Sequence, residues 1–283
     1  METPITPPRS TSHHTHIQPA SGWLNLNARE LWAYRDLFWI LMLRDVKVRY
    51  KQTLLGVVWV ILQPLTAALI FAVIFGRFAD LPSGDTPYML YVFIAMLPWN
   101  IFSGALQRAG TSLISDSRLI SKVYFPRIVI PIASSSAVLI DFCVAFIVGL
   151  FLMTGYGVYP TWRWLILPLC LILVLILTLG VALFFSALNV YYRDFMYALP
   201  FIIQVWMYAS PIAYSTEIVP DSVRSFYALN PMAGIIDGFR WSLLGLDKFP
   251  TTSVGISVIL TFVAFSVGLL VFQRIEDNFA DVI

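Results

Sequence analysis

Six long apolar blocks separated by shorter polar stretches set the pattern of this chain: 54–76, 88–106, 129–153, 164–188, 195–215 and 252–273. Each holds about 20 residues, the length at which a helix crosses a hydrocarbon core of about 30 Å. Pro98 interrupts the second block, and Pro200 and Pro211 the fifth. Neighbouring helices can re-satisfy the backbone groups freed at such positions. Ahead of the first block, residues 23–43 mix Trp23, Leu24, Leu31, Trp32, Phe38, Trp39 and Leu43 with Asn25, Asn27, Arg29, Glu30, Arg35 and Asp36. That amphipathic, tryptophan-rich pattern predicts a helix lying in the membrane interface; a soluble helix packed on a partner is the second reading. Residues 1–22 are polar, with Pro4, Pro7, Pro8 and Pro19, and read as a flexible cytosolic tail lacking the apolar core of a signal peptide. Between the last two blocks, 216–251 carries only short apolar pieces, broken at Asn230-Pro231 and Gly245. They predict two short re-entrant or surface helices on the outer face, since non-helical backbone at membrane depth must be buried in protein or line a wet cavity. Gly234 and Gly238 form a GxxxG, a weak packing signal outside a clean span. The expected fold is an all-α integral membrane protein with six transmembrane helices in residues 44–283.

Charge fixes the orientation. Only 12% of residues are charged, against about 25% in soluble domains, and 59% are hydrophobic. Arg44, Lys47, Arg49 and Lys51 form a basic shoulder directly before the first block. If all six blocks cross, only Arg77, Arg163, Arg224, Arg240 and Lys248 face the opposite side, leaving 13 of the 18 Lys and Arg with the N-terminus. The positive-inside rule then predicts both termini in the cytosol. Cys143 and Cys170 lie within apolar blocks and suggest no disulfide or thiol-ligated metal. His13, His14 and His16, on a Pro- and Ser-rich tail, read as incidental rather than as a metal site.

The chemistry is sparse. No lysine follows a glycine, so there is no phosphate-binding loop of the G-x-x-x-x-G-K type, and the chain is not expected to hydrolyse ATP alone. No metal-ligating cluster is predicted. Asp141 is the one acid inside the blocks. It is either functional or satisfied by neighbouring helices near Ser134, Ser135 and Ser136, and the second is favoured because no other acid or intramembrane base accompanies it. In 108–127, apolar Leu113, Ile114, Leu119, Ile120 and Val123 alternate with polar residues. Ser115 to Lys122 is expected to form a short helix ended near Pro126. It is either a docking element for a soluble partner or a plain connector. In the fifth block Tyr197, Phe201, Gln204 and Tyr208 share one helix face. That face is expected to meet protein or water, either as a wall for a sugar chain or as helix packing with an interfacial aromatic belt.

Several segments, in order, resemble one known family. They are Arg44 to Gly56 (RDVKVRYKQTLLG), Leu62 to Leu65 (LQPL), Leu119 to Arg127 (LISKVYFPR), Ala187 to Asp194 (ALNVYYRD), Leu229 to Met232 (LNPM) and Phe279 to Ile283 (FADVI). The set resembles the permease subunit of ABC exporters for bacterial surface polysaccharides, namely the O-antigen, capsule and teichoic acid exporters. The resemblance runs from about residue 30 to the end. It implies a homodimer in the bacterial inner membrane, two copies of a separate ATPase that carries ATP and Mg, no cofactor in this chain and no nucleic acid. It places the ATPase contact on the coupling loop 108–127, through Leu113, Ser115, Asp116, Arg118, Leu119, Lys122, Tyr124 and Arg127, and on Tyr192 and Arg193 of the next loop. It places periplasmic gate helices at 217–246. It implies a substrate channel along spans one and five, past Trp59, Gln63, Thr66, Tyr197, Phe201, Gln204 and Tyr208. A lipid-linked polysaccharide would enter where Arg44, Lys47, Arg49 and Lys51 meet the pyrophosphate of the carrier; topology and headgroup contact alone also account for those four. An ABC exporter for a lipid or drug, and an ion-coupled transporter, are the rival readings.

Overall fold

The computed structural model describes residues 28–51, 56–82, 84, 86–246, 248–276 and 279. The expected tail, Trp23 to Asn27, and the motif residues 52–55 and 280–283 lie outside them. Twelve α-helices follow in the described chain: α1 (Ala28–Ala33), α2 (Arg35–Lys51), α3 (Gly56–Phe71), α4 (Tyr88–Ser115), α5 (Ser117–Ile120), α6 (Val129–Ser136), α7 (Val138–Gly155), α8 (Leu167–Tyr191), α9 (Phe195–Tyr208), α10 (Asp221–Tyr227), α11 (Pro231–Leu244) and α12 (Thr251–Glu276). A π-helical turn, Ala72–Phe78, extends α3.

Among the described residues, five helical stretches are long and apolar enough to cross a membrane: Val58–Phe78, Tyr88–Ser115, Val129–Gly155, Trp162–Tyr191 and Thr251–Glu276. The fifth apolar block makes only the 14-residue α9. At 1.5 Å per residue that is about 21 Å, less than the core thickness. The block stops early because Pro211 follows Ser210: proline has no N–H to donate and disfavours the helical conformation in the residue before it.

Other boundaries move for similar local reasons. The shoulder at 44–51 contains no Gly or Pro, so α2 runs straight through it instead of ending near 43. The second block, expected to end near 106, continues as α4 to Ser115. This leaves α5 as a single turn, Ser117–Ile120, where a helix over 115–122 was expected. The third block divides into α6 and α7 at Ala137. There Ser135 and Ser136 donate back to the carbonyls four residues earlier, a competition that bends helices.

α4 is the axis of the bundle. Leu90 through Leu97 is buried without a break. Around it pack α3, α6, α7, α8, α9 and α11. α8 and α12 run against each other, and their closest approach is at Gly180 and Gly268, where a side chain on either would meet backbone of the other helix. α1 and α2 lie across one end. Leu31, Tyr34, Leu37, Phe38, Leu41 and Met42 face the second core cluster, while Trp32, Trp39, Ile40, Leu43 and Val48 are exposed. That division of faces suits an interfacial helix.

Candidate functional site

At the α2 end of the bundle, charged and polar residues from four helices, α2, α4, α6 and α7, interlock with Asp116 at the end of α4. Arg44 on α2 donates to both oxygens of Asp116, at 2.7 Å each, and to Asp45 at 2.9 Å. Asp45 in turn accepts from Ser134 of α6 at 2.9 Å. One turn along α2, Arg49 reaches Asp141 of α7 at 2.8 Å, and Arg108 of α4 reaches the same carboxylate at 2.6 Å. The Tyr50 hydroxyl donates to Asp141 as well. Burial, then the bond to that carboxylate, pushes the Tyr50 phenol above its ordinary range.

This arrangement corrects the sequence expectation for Asp141. It is satisfied, but not by the serines: Ser134 belongs to Asp45, and Ser135 and Ser136 bond to their own helix. The bases it lacked on paper are Arg49 and Arg108, brought in by the longer α2 and α4. No local pattern pairs residues so distant in the chain.

The basic quartet is thereby split. Arg44 and Arg49 hold carboxylates, while among the described residues no ion pair reaches Lys47 or Lys51. Those two lysines line a groove of about 440 Å³ along one face of α2, with Ile40, Leu43, Arg44 and Val48.

The residues assigned to the ATPase contact divide in the same way. Ser115, Arg118, Lys122, Tyr124, Tyr192 and Arg193 are exposed. Leu113 is in the core, Leu119 packs partly against it, Asp116 faces Arg44, and Arg127 is partly buried. Trp59, Gln63 and Thr66 stand on one exposed face of α3. Tyr197, Phe201, Gln204 and Tyr208 stand on an exposed face of α9, with Tyr197 76% accessible. Both helices pack on α4 and leave these faces uncovered.

At the other end of α4, side chains from α4 and α11, with Asn230, hold the irregular segment after α9 in addition to its own backbone turns. Arg240 of α11, 1% exposed, donates to the carbonyls of Ile212 at 2.8 Å, Tyr214 at 3.3 Å and Tyr91 at 3.3 Å, with its guanidinium 3.6 Å over the Tyr91 ring. Asn230 donates to the Ala209 carbonyl at 3.0 Å and to Ser210 at 2.9 Å, and accepts from Trp206 and from the Met232 N–H that it caps. The Tyr88 hydroxyl donates to the carbonyl of Ala213. Non-helical backbone is thus supplied with donors where it leaves the helix. Asp237 accepts from Thr216 and Ser253.

Expectation placed Asn230-Pro231 as a break and Arg240 on the outer face; the part each plays in this clasp had no sequence signal beyond the Asn cap. The discounted GxxxG does pack: a side chain at Gly234 would collide with the Ser253 carbonyl of α12, and Gly238 abuts Cys170 of α8. Residues 217–246 form α10 and α11, and α11 is buried against α4, α8 and α12 rather than resting on the surface. Among the described residues, no three His, Cys, Asp or Glu side chains gather as a metal site.

The chain is 30% identical over 261 residues to the O-antigen export system permease protein RfbA of Myxococcus xanthus, covering 89% of this chain and 97% of that one. It is 29% identical over 249 residues to the protein of the same name from Klebsiella pneumoniae, covering 88% and 95%. To the polysialic acid transport protein KpsM of Escherichia coli it is 22% identical over 238 residues, covering 84% and 92%. The family model for ABC-2 type transporters matches residues 36–244. From the basic helix α2 through α4, α9 and the buried α11, the arrangement falls within that match, and this multi-pass chain belongs to the ABC-2 type transporter family.

Proposed function

We propose that this chain is the membrane subunit of an ATP-driven exporter that moves a lipid-linked surface polysaccharide across the cytoplasmic membrane of a bacterium. Two copies form a homodimer with both termini in the cytosol, and two copies of a separate ATPase bind the end that carries α2 and α5. ATP and Mg sit on that partner. The names of the relatives support the substrate class.

The observation that carries the reading is the uncovered polar and aromatic face of α3 and α9. Gln63, Thr66, Tyr197, Gln204 and Tyr208 are exposed on helices that a bilayer would surround. Polar groups are costly against lipid, so these faces call for protein or water. In a dimer they line a path in which aromatic rings stack on sugar rings and the amide and hydroxyls bond to sugar hydroxyls, with Trp59 and Phe201 alongside. α10 and α11 form the outer gate. The exposed Ser115, Arg118, Lys122, Tyr124, Tyr192 and Arg193 meet the ATPase. At the α2 end, Lys47 and Lys51 are the cations open to the carrier pyrophosphate, since Arg44 and Arg49 already hold carboxylates.

The test is to purify the tagged chain in mild detergent from its own cell. A stoichiometric ATPase with a phosphate-binding loop, and ATP-dependent movement of lipid-linked glycan in vesicles, are expected. A lone oligomer, repeatedly without an ATPase, overturns the reading.

A further inference from the structure

The loop between α5 and α6 has two halves with opposite environments. Ser121 to Tyr124 is exposed, with Val123 at 52% and Tyr124 at 67%. Phe125 to Ile128 turns inward: Phe125 and Ile128 are buried with Leu41 of α2, Leu113 of α4 and Leu269 of α12. What holds the inner half is the end of the chain. The Arg127 N–H donates to the Glu276 carboxylate at 3.0 Å, and the Arg127 guanidinium donates to the Glu276 carbonyl. That guanidinium lies 5.9 Å from the centre of the Phe279 ring. Phe279 is 0% exposed and packs edge-on against Phe272 of α12, at 5.5 Å. The inner half is therefore bolted to α12 through backbone, charge and ring at once, whereas the exposed half has one long-range polar tie, the Tyr34 hydroxyl donating to the Tyr124 carbonyl at 3.4 Å. α12 is in turn fitted to α8 at the Gly180 and Gly268 crossing.

We propose that Glu276 and Phe279 are positioning residues for the coupling loop: they clamp its inner half to α12, so that movement of the exposed half is passed into α12 and α8. This rests on the exporter reading. Displacement of Ser121 to Tyr124 by the ATPase would otherwise swing the loop about Phe125 and Pro126 and be lost. With the clamp, the α12 and α8 pair moves with the loop, because a close-packed contact transmits strain instead of absorbing it.

Two readouts separate the clamp from the exporter reading. The first needs the full chain alone, in lipid nanodiscs, under limited trypsin. Cleavage after Lys122 is expected in the wild type, with the Arg127–Ile128 bond protected. Phe279→Ala and Glu276→Ala should open that bond, whereas Phe279→Leu and Glu276→Gln, which keep bulk and an acceptor, should not. Unchanged protection in the alanine variants overturns the clamp whatever the chain transports.

The second readout uses the complex with its ATPase in vesicles and measures glycan moved per ATP. Phe279→Ala is expected to lower that ratio about fivefold, the lower end of a typical coupling free energy, with assembly and hydrolysis kept. Phe279→Leu should restore it. An unchanged ratio, or transport and hydrolysis falling in equal proportion, overturns the positioning role. Failure of the wild type to co-purify with an ATPase would count against the exporter reading, leaving the trypsin result to judge the clamp.

Discussion

Arg44 of α2 and Asp116, the residue that closes α4, are joined by two hydrogen bonds of 2.7 Å each. The fork of a guanidinium matches both carboxylate oxygens, a geometry that an ammonium does not reproduce. The pair ties α2 to the start of the loop that the exporter reading places against the ATPase. Arg44 is 41% exposed, so solvent screening limits what the pair contributes. Arg44→Ala is expected to cost about 1 kcal/mol in thermal unfolding in detergent, with Arg44→Lys recovering only part of it. Equal stability of all three would show that the pair does not anchor α2.

Asp141 stands between two guanidinium groups, with the Tyr50 hydroxyl beside it. Removing its charge leaves Arg49 and Arg108 facing each other. Asp141→Asn is expected to destabilise the chain by about 2–3 kcal/mol, because breaking one side of a partly buried ion pair strands the other. Adding Arg108→Gln should return part of that loss. ATP-dependent export per folded molecule should persist. Abolished transport with hydrolysis intact would favour an ion-coupled role for this carboxylate.

Arg240 serves three carbonyls from one buried guanidinium. Arg240→Met keeps the bulk and removes every donor. The expected cost is about 3–5 kcal/mol, seen as loss of the monodisperse peak in size-exclusion chromatography. Arg240→Lys should fare little better, since one ammonium cannot reach carbonyls on Tyr91, Ile212 and Tyr214 together. A well-behaved Arg240→Met protein would mean that the turn after α9 does not depend on this clasp.

A substitution at the exposed Gln204 distinguishes a path-lining α9 from a lipid-facing one. If α9 lines a path for glycan, Gln204→Leu should lower transport about tenfold, a barrier increase of about 1.4 kcal/mol, with assembly and hydrolysis unchanged. If α9 faces lipid, the same change should raise thermal stability and leave transport alone.

Long apolar runs such as 164–188 announced their helices, because length and hydropathy are local properties. α9 was placed correctly at its start but not at its end, since the effect of Pro211 on Ser210 depended on whether neighbours rescued the freed backbone. The site was legible as faces and not as partners. The stripe of Tyr197, Phe201, Gln204 and Tyr208 follows from helical spacing, and all four residues are exposed on α9. Asp141 was conspicuous as a lone acid, but Tyr50 is 91 positions away and Arg108 is 33. Only the packing of α2 on α6, and of α4 on α6 and α7, brings them together. Arg240 read as an outer-face cation because positive charge is ordinarily kept from apolar surroundings, whereas here three backbone carbonyls and the Tyr91 ring receive it.

The burial of most of α4 has a consequence for how the protein is made. α4 is the least hydropathic of the five long spans, yet by far the most covered. The chain is synthesised from its N-terminus, so α4 leaves the ribosome before α6, α8 and α11 exist to enclose it. During that interval Asn100 and Ser103, partly covered in the finished bundle, stand without their final neighbours, and hydrocarbon is a poor solvent for them. Release of this span from the insertion machinery is therefore tied to the arrival of later helices, and the centre of the bundle is the part of the molecule finished last.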